Sequence, residues 1–510
     1  MPAKLELVLD GQSHICIHGH FYQPPRENPF TGEVPPQPSA TPYDNWNERI
    51  TEECYRANSA APILGEDGEP RAHLNNYAWI SFDFGPTLLS WLESEASDVY
   101  RAIVDADRMS AGRFGGHGSA MAHAYNHTIL PLSNSRDKRT QVKWGIADFE
   151  HRFRRRPEGF WLPETAVDTE TLRIIAEEGI SFTVLSPYQG EAVLGPDGEW
   201  EEARDGTIDP RSPYRVDLGD GSTLTVFFYN GPLSQEIAFN GILEDGRLLA
   251  KRLIQALGEG SGDSLAHVAT DGETYGHHHR HGEMALAAAI EEIEGDPEVS
   301  LTNYGQYLET HPVTRAVRIA ESSSWSCSHG VERWRADCGC SSGRHPGWSQ
   351  VWRAPLRAGL DWLRDQLIPR FETAGSQLLN DPWLARDQYI EVVLGGSPDV
   401  FLDRHARREL GPGEREEALG LLEIQHRAML MYTSCGWFFD DIAGLEAVLV
   451  LRHAGRVIDL TRRVLGVDLE PGFLAIIGGA ESNLGESGRE IYLREVTPFL
   501  GAWGGAGAAG

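Results

Sequence analysis

The sequence predicts an α/β fold with a parallel sheet or barrel, followed by a mainly α-helical C-terminal region. Short apolar, β-branched runs alternate with helical patterns through the first part of the chain, which is typical of parallel β/α units. Several of these runs end in polar or ionisable residues, as strands do at the carboxyl edge of such folds. After residue 355 the apolar residues recur at helical spacing instead.

Length, composition and charge limit the class of protein. The chain has 510 residues, 41% hydrophobic and 24% charged, and can bury a large core in two or three domains. Its net charge of -30 repels phosphate backbones and anionic lipids, so we expect neither nucleic acid nor membrane as a partner. The sequence shows no apolar run long enough to cross a bilayer and no N-terminal secretory signal. Its six cysteines are unevenly spaced, which argues against a disulfide framework. We therefore predict a cytoplasmic protein with a neutral substrate and leave its oligomeric state open.

The first predicted strand, residues 13–17, runs into the segment HGHFYQPP, residues 18–25. Alternate side chains of an extended chain point to the same side, so His18 and His20 can enter one pocket. They could ligate a metal, hydrogen-bond a polyhydroxylated substrate, or be satisfied by neighbouring loops. The aromatic and Gln-Pro-Pro flank favours a binding-site loop.

A second β/α unit is predicted at 80–92, where alternating apolar residues give way at Gly85-Pro86 to a helical pattern. The block that follows, residues 115–127, contains several glycines and three histidines. It lacks a full GxGxxG motif because position 121 is methionine, so its dinucleotide signature is weak.

The segment GFWLPETAVD, residues 159–168, places a single carboxylate, Glu164, after an apolar run and directly behind Pro163. Proline removes a backbone donor and fixes φ, so the chain should leave a buried strand there. A helical pattern begins at Thr165, which puts Glu164 at a strand-to-helix turn of the kind that carries chemistry in α/β enzymes. The alternative is a first-turn helix acid favoured by the helix dipole.

Three further strands are predicted at 180–186, 222–229 and 265–270, and the last ends in DGETYGHHH, residues 271–279. If the strands are parallel, Asp271 and Glu164 open onto the same face. Paired carboxylates cleave glycosidic bonds with retention when one is the nucleophile and the other the acid/base, at a separation of ~5 to 5.5 Å. The alternative for Asp271 is a solvated Asp-Gly turn.

Four stretches in this order resemble successive signature regions of glycoside hydrolase family 57: HGHFYQPP (18–25), NHTILPL (126–132), GFWLPETA (159–166) and DGETYGHHH (271–279). The resemblance implies an incomplete parallel (β/α)7 barrel that acts on α-glucans or maltooligosaccharides by double displacement, as an amylase, a 4-α-glucanotransferase or a branching enzyme.

The same resemblance implies that Glu164 is the nucleophile and Asp271 the general acid/base. The substrate-binding residues that it implies are His18, His20, Gln23, His127, Trp161 and His277. The sequence departs from the family pattern at Asn126, where a bulkier aromatic is common, and at His278 and His279, where tryptophans are often found. These departures concern subsite shape and linkage preference.

Residues 321–352 contain Cys327, His329, Cys338 and Cys340 among four tryptophans. Three cysteines and a histidine could form a structural zinc site, or a reduced thiol cluster beside aromatic packing. Their spacing is unlike that of common zinc loops and favours the interpretation without metal. We therefore predict neither a metal nor a cofactor.

Residues 355–500 are predicted to form a helical domain, and the wider segment resembles the C-terminal domain of one bacterial branch of the family. Within it, YTSCGWFFDD (432–441) resembles the fifth family region, where helical-domain side chains close over the active site. The resemblance implies that Trp437 and Asp440 bind substrate. Phe438 and Phe439 are better explained as core aromatics.

The predicted organisation is a catalytic barrel (1–310), a Cys/Trp-rich connecting segment (311–354), a helical domain closing over the active site (355–500) and a disordered Gly/Ala tail (501–510).

Two other functions stay open. A metal-dependent carbohydrate hydrolase or deacetylase would use His18, His20 and Asp83 or Asp271 as ligands. A non-catalytic glucan-binding or regulatory protein would retain the aromatic residues but need not hold the two carboxylates at catalytic distance. The sequence distinguishes neither hydrolysis from transglycosylation nor α-1,4 from α-1,6 linkage.

Overall fold

The computed structural model describes residues 13–258 and 264–501, which form two compact units. The first unit holds the described residues of Met1–Gln23, Pro36–His123 and Arg152–Glu321, and the second those of Pro24–Pro35, Ala124–His151 and Ser322–Gly510. Residues 1–12, where no secretory signal is predicted, and all of the predicted Gly/Ala tail except Gly501 lie outside the described residues.

The described residues contain strands β1 (Ser13–Phe21), β2 (Ala61–Leu64), β3 (Pro70–Leu74), β4 (Ser81–Phe84), β5 (Ala120–His123), β6 (Phe160–Trp161), β7 (Phe182–Leu185), β8 (Gly190–Leu194), β9 (Trp200–Glu202), β10 (Tyr214–Asp217), β11 (Thr223–Phe228), β12 (Leu265–Asp271), β13 (Val299–Leu301) and β14 (Arg315–Ile319).

Their helices are α1 (Trp46–Ile50), α2 (Arg56–Ser59), α3 (Pro86–Glu95), α4 (Ser97–Arg113), α5 (Ser135–Phe153), α6 (Thr169–Glu177), α7 (Gly231–Phe239), α8 (Gly246–Gln255), α9 (Gly282–Glu294), α10 (Tyr304–Thr310), α11 (Arg353–Leu378), α12 (Pro382–Gln388), α13 (Ile390–Val393), α14 (Pro398–His405), α15 (Pro412–Leu430), α16 (Cys435–Phe438), α17 (Leu445–Leu465), α18 (Glu470–Ile477) and α19 (Gly488–Glu495).

Seven parallel strands of the first unit follow one another around a ring. Strands β12, β1, β4, β5 and β6 pair side by side, and β7 pairs with β11. A parallel bridge between Gly159 and Phe182 joins β6 to β7. On the other side, the backbone N–H of Asn230, just after β11, donates to the carbonyl of His267 on β12 at 2.8 Å. These sparse joints leave the ring incompletely bonded, and the predicted incomplete (β/α)7 barrel is confirmed.

The remaining strands extend the barrel or flank it. Strand β10 runs antiparallel to β11 and parallel to β14, and β14 continues through antiparallel pairs with β8 and then β9. Strand β13 pairs with the beginning of β1, and β2 and β3 form a separate antiparallel pair.

Alternation along β1 separates core residues from site residues. Ile15 and Ile17 lie in one buried cluster with Leu286 and Ile290 of α9, and each such side chain contributes about 1.5 to 3 kcal/mol by leaving water. The residues between them point to the opposite face of the strand. This pattern directs the histidines of β1 away from the helices and toward the interior of the ring.

The predicted strands at 180–186, 222–229 and 265–270 correspond to β7, β11 and β12. The break at Gly85-Pro86 is also observed, with Pro86 as the first residue of α3. The predicted first strand continues beyond residue 17 to Phe21, because its histidines pair with residues of β4 and β12. Strand β5 was not predicted from the sequence.

The described C-terminal part of the second unit is mostly helical, as predicted. Leu356, Leu360, Leu363 and Leu367 are all buried on one side of α11. None of the helices in the described ranges has the length and apolar character needed to cross a membrane.

Candidate functional site

Three ionisable side chains from β1 and β4 form a buried hydrogen-bonded group. Asp83 Oδ1 lies 3.1 Å from His18 Nε2, and Asp83 Oδ2 lies 2.8 Å from His20 Nδ1. The other ring nitrogen of His18 lies 3.0 Å from Ser81 Oγ. The strand register explains the group, since β4 pairs with β1 so that His20 lies beside Asp83.

The charges in this group follow from burial and from mutual contact. Burial would raise the pKa of Asp83, but the charge of His20 and the hydrogen bonds from both histidines lower it to about 2. Burial lowers the pKa of His18, which leaves that ring neutral. Burial also opposes the charge on His20, but Asp83, with Asp271 and Glu273, raises its pKa to about 9. At neutral pH the group holds an imidazolium against a carboxylate.

Aromatic stacking fixes the orientation of these rings. Trp161, at the end of β6, stacks on His18 with ring centroids 4.6 Å apart and on His20 at 5.1 Å. His123, at the end of β5, stacks on His20 at 5.5 Å. Trp161 is fully buried, so its indole packs within this layer of rings.

Glu164 lies on a tight turn just after β6. Its φ is 57° and its ψ is 21°, and Thr165 also has a positive φ, of 51°. Non-glycine residues rarely adopt this left-handed region, and they concentrate at functional sites. The predicted turn between strand and helix is observed, but α6 begins at Thr169, with Asp168 as its N-cap, and not at Thr165 as predicted, because Glu164 and Thr165 have left-handed backbone conformations that an α-helix does not allow.

Gln189 holds this turn in place from the segment after β7. Its side-chain oxygen accepts from Thr165 Oγ1 at 2.8 Å and from the backbone N–H of Ser186 at 2.9 Å. Its amide donates to the carbonyl of Thr165 at 2.8 Å. The Gln189 side chain is fully buried, so these bonds fix the backbone beside Glu164 without competition from water.

Asp271 and Glu273 leave the end of β12 in different surroundings. Solvent reaches Asp271, although protein atoms crowd its carboxyl, while Glu273 is buried, accepting from Tyr55 Oη at 2.6 Å and from the backbone N–H of Tyr22 at 3.3 Å. Desolvation raises both pKa values, that of Asp271 to about 6 and that of Glu273 to about 7. Because the two carboxyls interact, they titrate as a pair.

Gly272, between these two carboxyls, lies against the ring of Phe21. A Cβ atom at this position would lie 2.3 Å from two carbons of that ring. Only glycine therefore allows β12 to end this close to β1.

Glu164 and Asp271 follow strands on opposite sides of the ring. Going from β6 to β12 takes three steps through β7 and β11, or four through β5, β4 and β1. The carboxyl ends of parallel strands open at the same end of a barrel. The charge of Glu164 also contributes to the raised pKa of Asp271, so the two groups interact electrostatically.

The other sequence-predicted site residues lie in varied environments. Gln23 is half-buried just after β1, and His277 Nδ1 pairs with Glu53 Oε2 in the first unit. In the second unit, His127 has a φ of 52°, and its Nδ1 lies 2.6 Å from Ser434 Oγ.

Trp437 and Asp440, also in the second unit, are buried and bonded to protein groups. Trp437 Nε1 donates to the carbonyl of Arg353 at 3.3 Å, and Asp440 accepts from the backbone N–H of Ser342 at 2.7 Å. Their assignment as substrate-binding residues stays a prediction.

Sequence reasoning missed His123 and Gln189, and it considered Asp83 only as a metal ligand. Asp83 has a recognisable signal, because it is a lone acid in the alternating apolar strand SFDF. His123 and Gln189 have no such local signal, since their partners lie far away in the sequence. In the second unit, the structure also brings together the ligand atoms of Cys327, His329, Cys338 and Cys340.

Two family models match this chain. One, described as glycosyl hydrolase family 57, matches residues 47–320, and the other, described as a domain of unknown function (DUF3536), matches residues 348–504. No curated protein matches the chain significantly.

Several solved structures share the fold. An exo-type maltose-forming amylase from Pyrococcus sp. ST04 is 14% identical, with a TM-score of 0.69, over 95% of this chain and 88% of that protein. A branching enzyme from Pyrococcus horikoshii is 15% identical, with a TM-score of 0.55, over 97% of both chains. A 4-α-glucanotransferase from Thermococcus litoralis is 15% identical, with a TM-score of 0.53, over 89% of this chain and 60% of that protein.

Proposed function

Because this chain belongs to glycosyl hydrolase family 57, we propose that Glu164 and Asp271 are the two carboxylates of a retaining double displacement on α-glucans. The chain is an enzyme of the glycosidase and transglycosylase class. The observation that carries the residue assignment is that the two carboxyls follow strands of one parallel ring and therefore open at the same end of it. The charge of Glu164, which contributes to the raised pKa of Asp271, supports it. The separation expected between them is ~5 to 5.5 Å.

In the first step, the Glu164 carboxylate attacks the anomeric carbon of the bound sugar. The bond from that carbon to the glycosidic oxygen breaks, and Asp271 gives its proton to the leaving oxygen. The result is a glycosyl ester on Glu164 and an ionised Asp271. The constrained turn around Glu164 supports this role, because a fixed nucleophile loses less freedom when it reacts.

In the second step, Asp271 acts as the base. It takes a proton from water or from a sugar hydroxyl, whose oxygen attacks the anomeric carbon and releases Glu164. Water gives hydrolysis and a sugar hydroxyl gives transfer. The pKa of Asp271, raised to about 6, suits a group that must both give and take a proton near neutral pH. Glu273, bonded to Tyr55 and to the backbone of Tyr22, is less free to exchange protons.

The charged His20 is proposed to lie nearest the sugar, with His18 in support. Both nitrogens of His18 are engaged with Ser81 and Asp83, so its part is to hold the Asp83 carboxylate. Asp83 in turn keeps His20 protonated. A fixed imidazolium can donate a hydrogen bond to a sugar hydroxyl and stabilise negative charge on the nucleophile.

The proposal also covers the cellular location of the protein and substrate contacts from the helical region of the second unit. We propose a cytoplasmic location, which six cysteines with free thiols support. The helical region that contains Trp437 and Asp440 is proposed to supply further substrate contacts, as the resemblance of residues 432–441 to the fifth family region implies.

The decisive experiment is product analysis on a soluble α-glucan. The purified protein is incubated with amylose or maltooligosaccharides, and products are resolved by chain length, by linkage and by anomeric configuration. We expect α-configured products, either shorter chains or rearranged ones. The Glu164→Gln variant should be inactive, while Glu177→Gln, an exposed glutamate on the following helix, should retain activity. Products of β-configuration, or an active Glu164→Gln variant, would contradict the proposed mechanism.

A further inference from the structure

Four potential metal ligands in the second unit converge from two short segments. Cys327 and His329 come from the sequence CSH, and Cys338 and Cys340 from CGC. The Sγ atom of Cys327 lies 3.9 Å from that of Cys338 and 3.7 Å from that of Cys340. The Sγ atom of Cys340 lies 3.6 Å from His329 Nδ1. All four ligand atoms lie within 4.8 Å of one another.

These distances match a tetrahedral site rather than a disulfide. With Zn–S bonds of ~2.3 Å and a Zn–N bond of ~2.05 Å, tetrahedral angles place two sulfurs about 3.8 Å apart and a sulfur and a nitrogen about 3.6 Å apart. A disulfide requires ~2.05 Å between sulfurs, far shorter than the separations between Cys327 and its two neighbours. The four ligand atoms therefore have the spacing of a four-coordinate zinc centre.

The surrounding backbone is shaped to hold the four ligands. The backbone N–H groups of Arg333 and His329 lie near the Cys327 sulfur, and that of Ser328 lies near the Cys340 sulfur. Gly339, between two of the cysteines, has a φ of 82°, a conformation that glycine adopts without strain. Such amide contacts and a glycine turn orient the thiolates before a metal binds.

We propose that Cys327, His329, Cys338 and Cys340 bind one structural Zn²⁺ ion. Thiolate and imidazole ligands select zinc among the abundant divalent ions, and four protein ligands leave no open position for catalysis. The distances thus favour the alternative that residue spacing alone disfavoured. This inference concerns the second unit and is independent of the roles proposed for Glu164 and Asp271.

The site stabilises a stretch with little regular structure of its own. Between β14 and α11 the described chain has one short 3-10 helix, Glu332–Trp334. Arginine side chains connect this stretch to α16 and to α11: Arg333 donates to the carbonyl of Phe438, the last residue of α16, at 2.8 Å, and Arg353, the first residue of α11, donates to the carbonyl of Cys340 at 2.8 Å. The ion would thereby hold the stretch against the segment that carries Trp437 and Asp440.

The test is the metal content of the intact protein. The full chain is purified without chelators or a histidine tag, dialysed, and analysed by mass spectrometry of its metals. We expect about one zinc per chain. Cys338→Ser and His329→Ala should lower this value severalfold. His345→Ala, which removes an exposed histidine from the same stretch, and Cys435→Ser, which removes a thiol outside the cluster, should keep it.

A second measurement covers the case in which a ligand variant fails to fold. The wild-type chain is exchanged with Co²⁺, whose tetrahedral thiolate complexes give intense visible bands and a near-ultraviolet charge-transfer band. We expect both bands in wild type and in His345→Ala. A wild-type chain that binds neither zinc nor cobalt, full zinc content in Cys338→Ser, or a native disulfide between Cys327 and another cysteine of the cluster would each overturn the proposal.

Discussion

At the level of single residues, one cation lies among three carboxylates. His20 is held in its charged form by Asp83, and Asp271 and Glu273 contribute to the same effect. The influence is mutual, since the charge of His20 lowers the pKa of Asp271, while desolvation by the surrounding protein atoms and the charge of Glu164 raise it. Balanced in this way, Asp271 can gain and lose a proton near pH 6 instead of being held permanently in one form.

The first prediction concerns Glu164. Replacing it with alanine removes the nucleophile, and activity on α-glucans should fall by about a thousandfold or more. Azide can then occupy the vacated space and attack the anomeric carbon directly. We expect azide to restore turnover of an activated glycoside and to give a product of inverted configuration, as measured by NMR. Rescue with retained configuration would show that another nucleophile carries the reaction.

The second prediction concerns Asp271. When this residue is replaced, the fall in turnover should depend on the leaving group of the substrate. Asp271→Ala removes the proton donor but leaves the nucleophile, so turnover of natural glucans should fall by roughly 10²- to 10⁴-fold. An activated aryl glycoside needs little protonation, so it should still react in a first burst. Azide should then release a product of retained configuration.

The pH profile provides the control for this assignment. The acid form of Asp271 is needed in the first step, and its pKa is raised to about 6. In wild type, kcat/KM for a natural glucan should therefore fall as the pH rises through about 6. This basic limb should disappear in Asp271→Ala. If the variant loses activity equally on activated and natural substrates, Glu273 becomes the next candidate for the acid.

At the level of elements, the turn after β6 is held from outside. Gln189 bridges the segment after β7 to Thr165, next to Glu164. Its removal leaves a buried N–H and a buried carbonyl without partners, at a cost of about 1 to 3 kcal/mol in stability. Removal of the Gln189 side chain should also allow the Glu164 carboxylate to move from its reactive position.

The third prediction is that Gln189→Ala lowers kcat by about 10- to 100-fold with little change in KM, because it displaces the reacting carboxylate and not the bound sugar. Steady-state kinetics on a maltooligosaccharide measures both constants. Gln255→Ala, an exposed glutamine on α8, is the matched control. If Gln189→Ala lowers the thermal unfolding midpoint but leaves kcat unchanged, the role of Gln189 is purely structural.

Elements are predictable where local chemistry marks them. Strand β4 alternates and stops at Gly85-Pro86, where a breaker ends the strand and proline opens a helix. Strand β5 has the same length and is equally buried, but its sequence, AMAH, shows no alternation of polar and large apolar residues, and no Gly-Pro pair marks its end. It lies within a block rich in glycine and histidine, a composition that does not indicate a strand.

The candidate site divides in the same way. Glu164 follows β6, Asp271 ends β12, and His18 and His20 lie in the last part of β1, so their position within the chain already marks them. Gln189 acts through a partner on a different segment, and only folding brings the two together. The cysteine cluster is similar, because its spacing is uncommon and the evidence for it lies in interatomic distances.

At the level of the whole molecule, buried ionisable groups make stability depend on pH. Desolvation raises the pKa of Glu273 from its ordinary 4.5 to about 7. A carboxyl with a raised folded-state pKa contributes stability below pH 4.5 and loses that contribution as the pH rises through 7. The loss for this one group is roughly 3 kcal/mol.

The fourth prediction follows for Glu273→Gln. Glutamine cannot ionise, so the variant should escape this loss and gain stability relative to wild type as the pH rises from 4.5 to 8. Thermal unfolding midpoints at the two pH values measure the change. Glu292→Gln, which alters an exposed glutamate of α9, should show no such pH dependence. A relative gain that shrinks toward pH 8 would mean that Glu273 is ionised in the fold at little cost.

The fifth prediction uses the way in which the chain is divided between the units. Tyr125 and Trp144 belong to the second unit, where they share a buried cluster with Phe371, Leu378 and Leu422. A fragment that ends at residue 321 keeps Tyr125 and Trp144 but lacks Phe371, Leu378 and Leu422.

We expect this fragment to bind a hydrophobic dye and to aggregate, since its 124–151 segment lacks its core partners. The full chain, measured by the same dye binding and by size-exclusion chromatography, is the control. A monomeric, dye-free fragment would support a self-sufficient barrel.

The backbone at Glu164 has a further consequence, for protein engineering. A left-handed φ of 57° on glutamate, followed by 51° on Thr165, is a conformation that glycine adopts more readily than any other residue. A screen for thermostability alone would therefore favour glycine at position 164, the substitution that also removes the proposed nucleophile. Selection for heat resistance should favour glycine at position 164, whereas selection for turnover should favour glutamate. Stabilised variants must therefore be assayed for activity in the same round of screening.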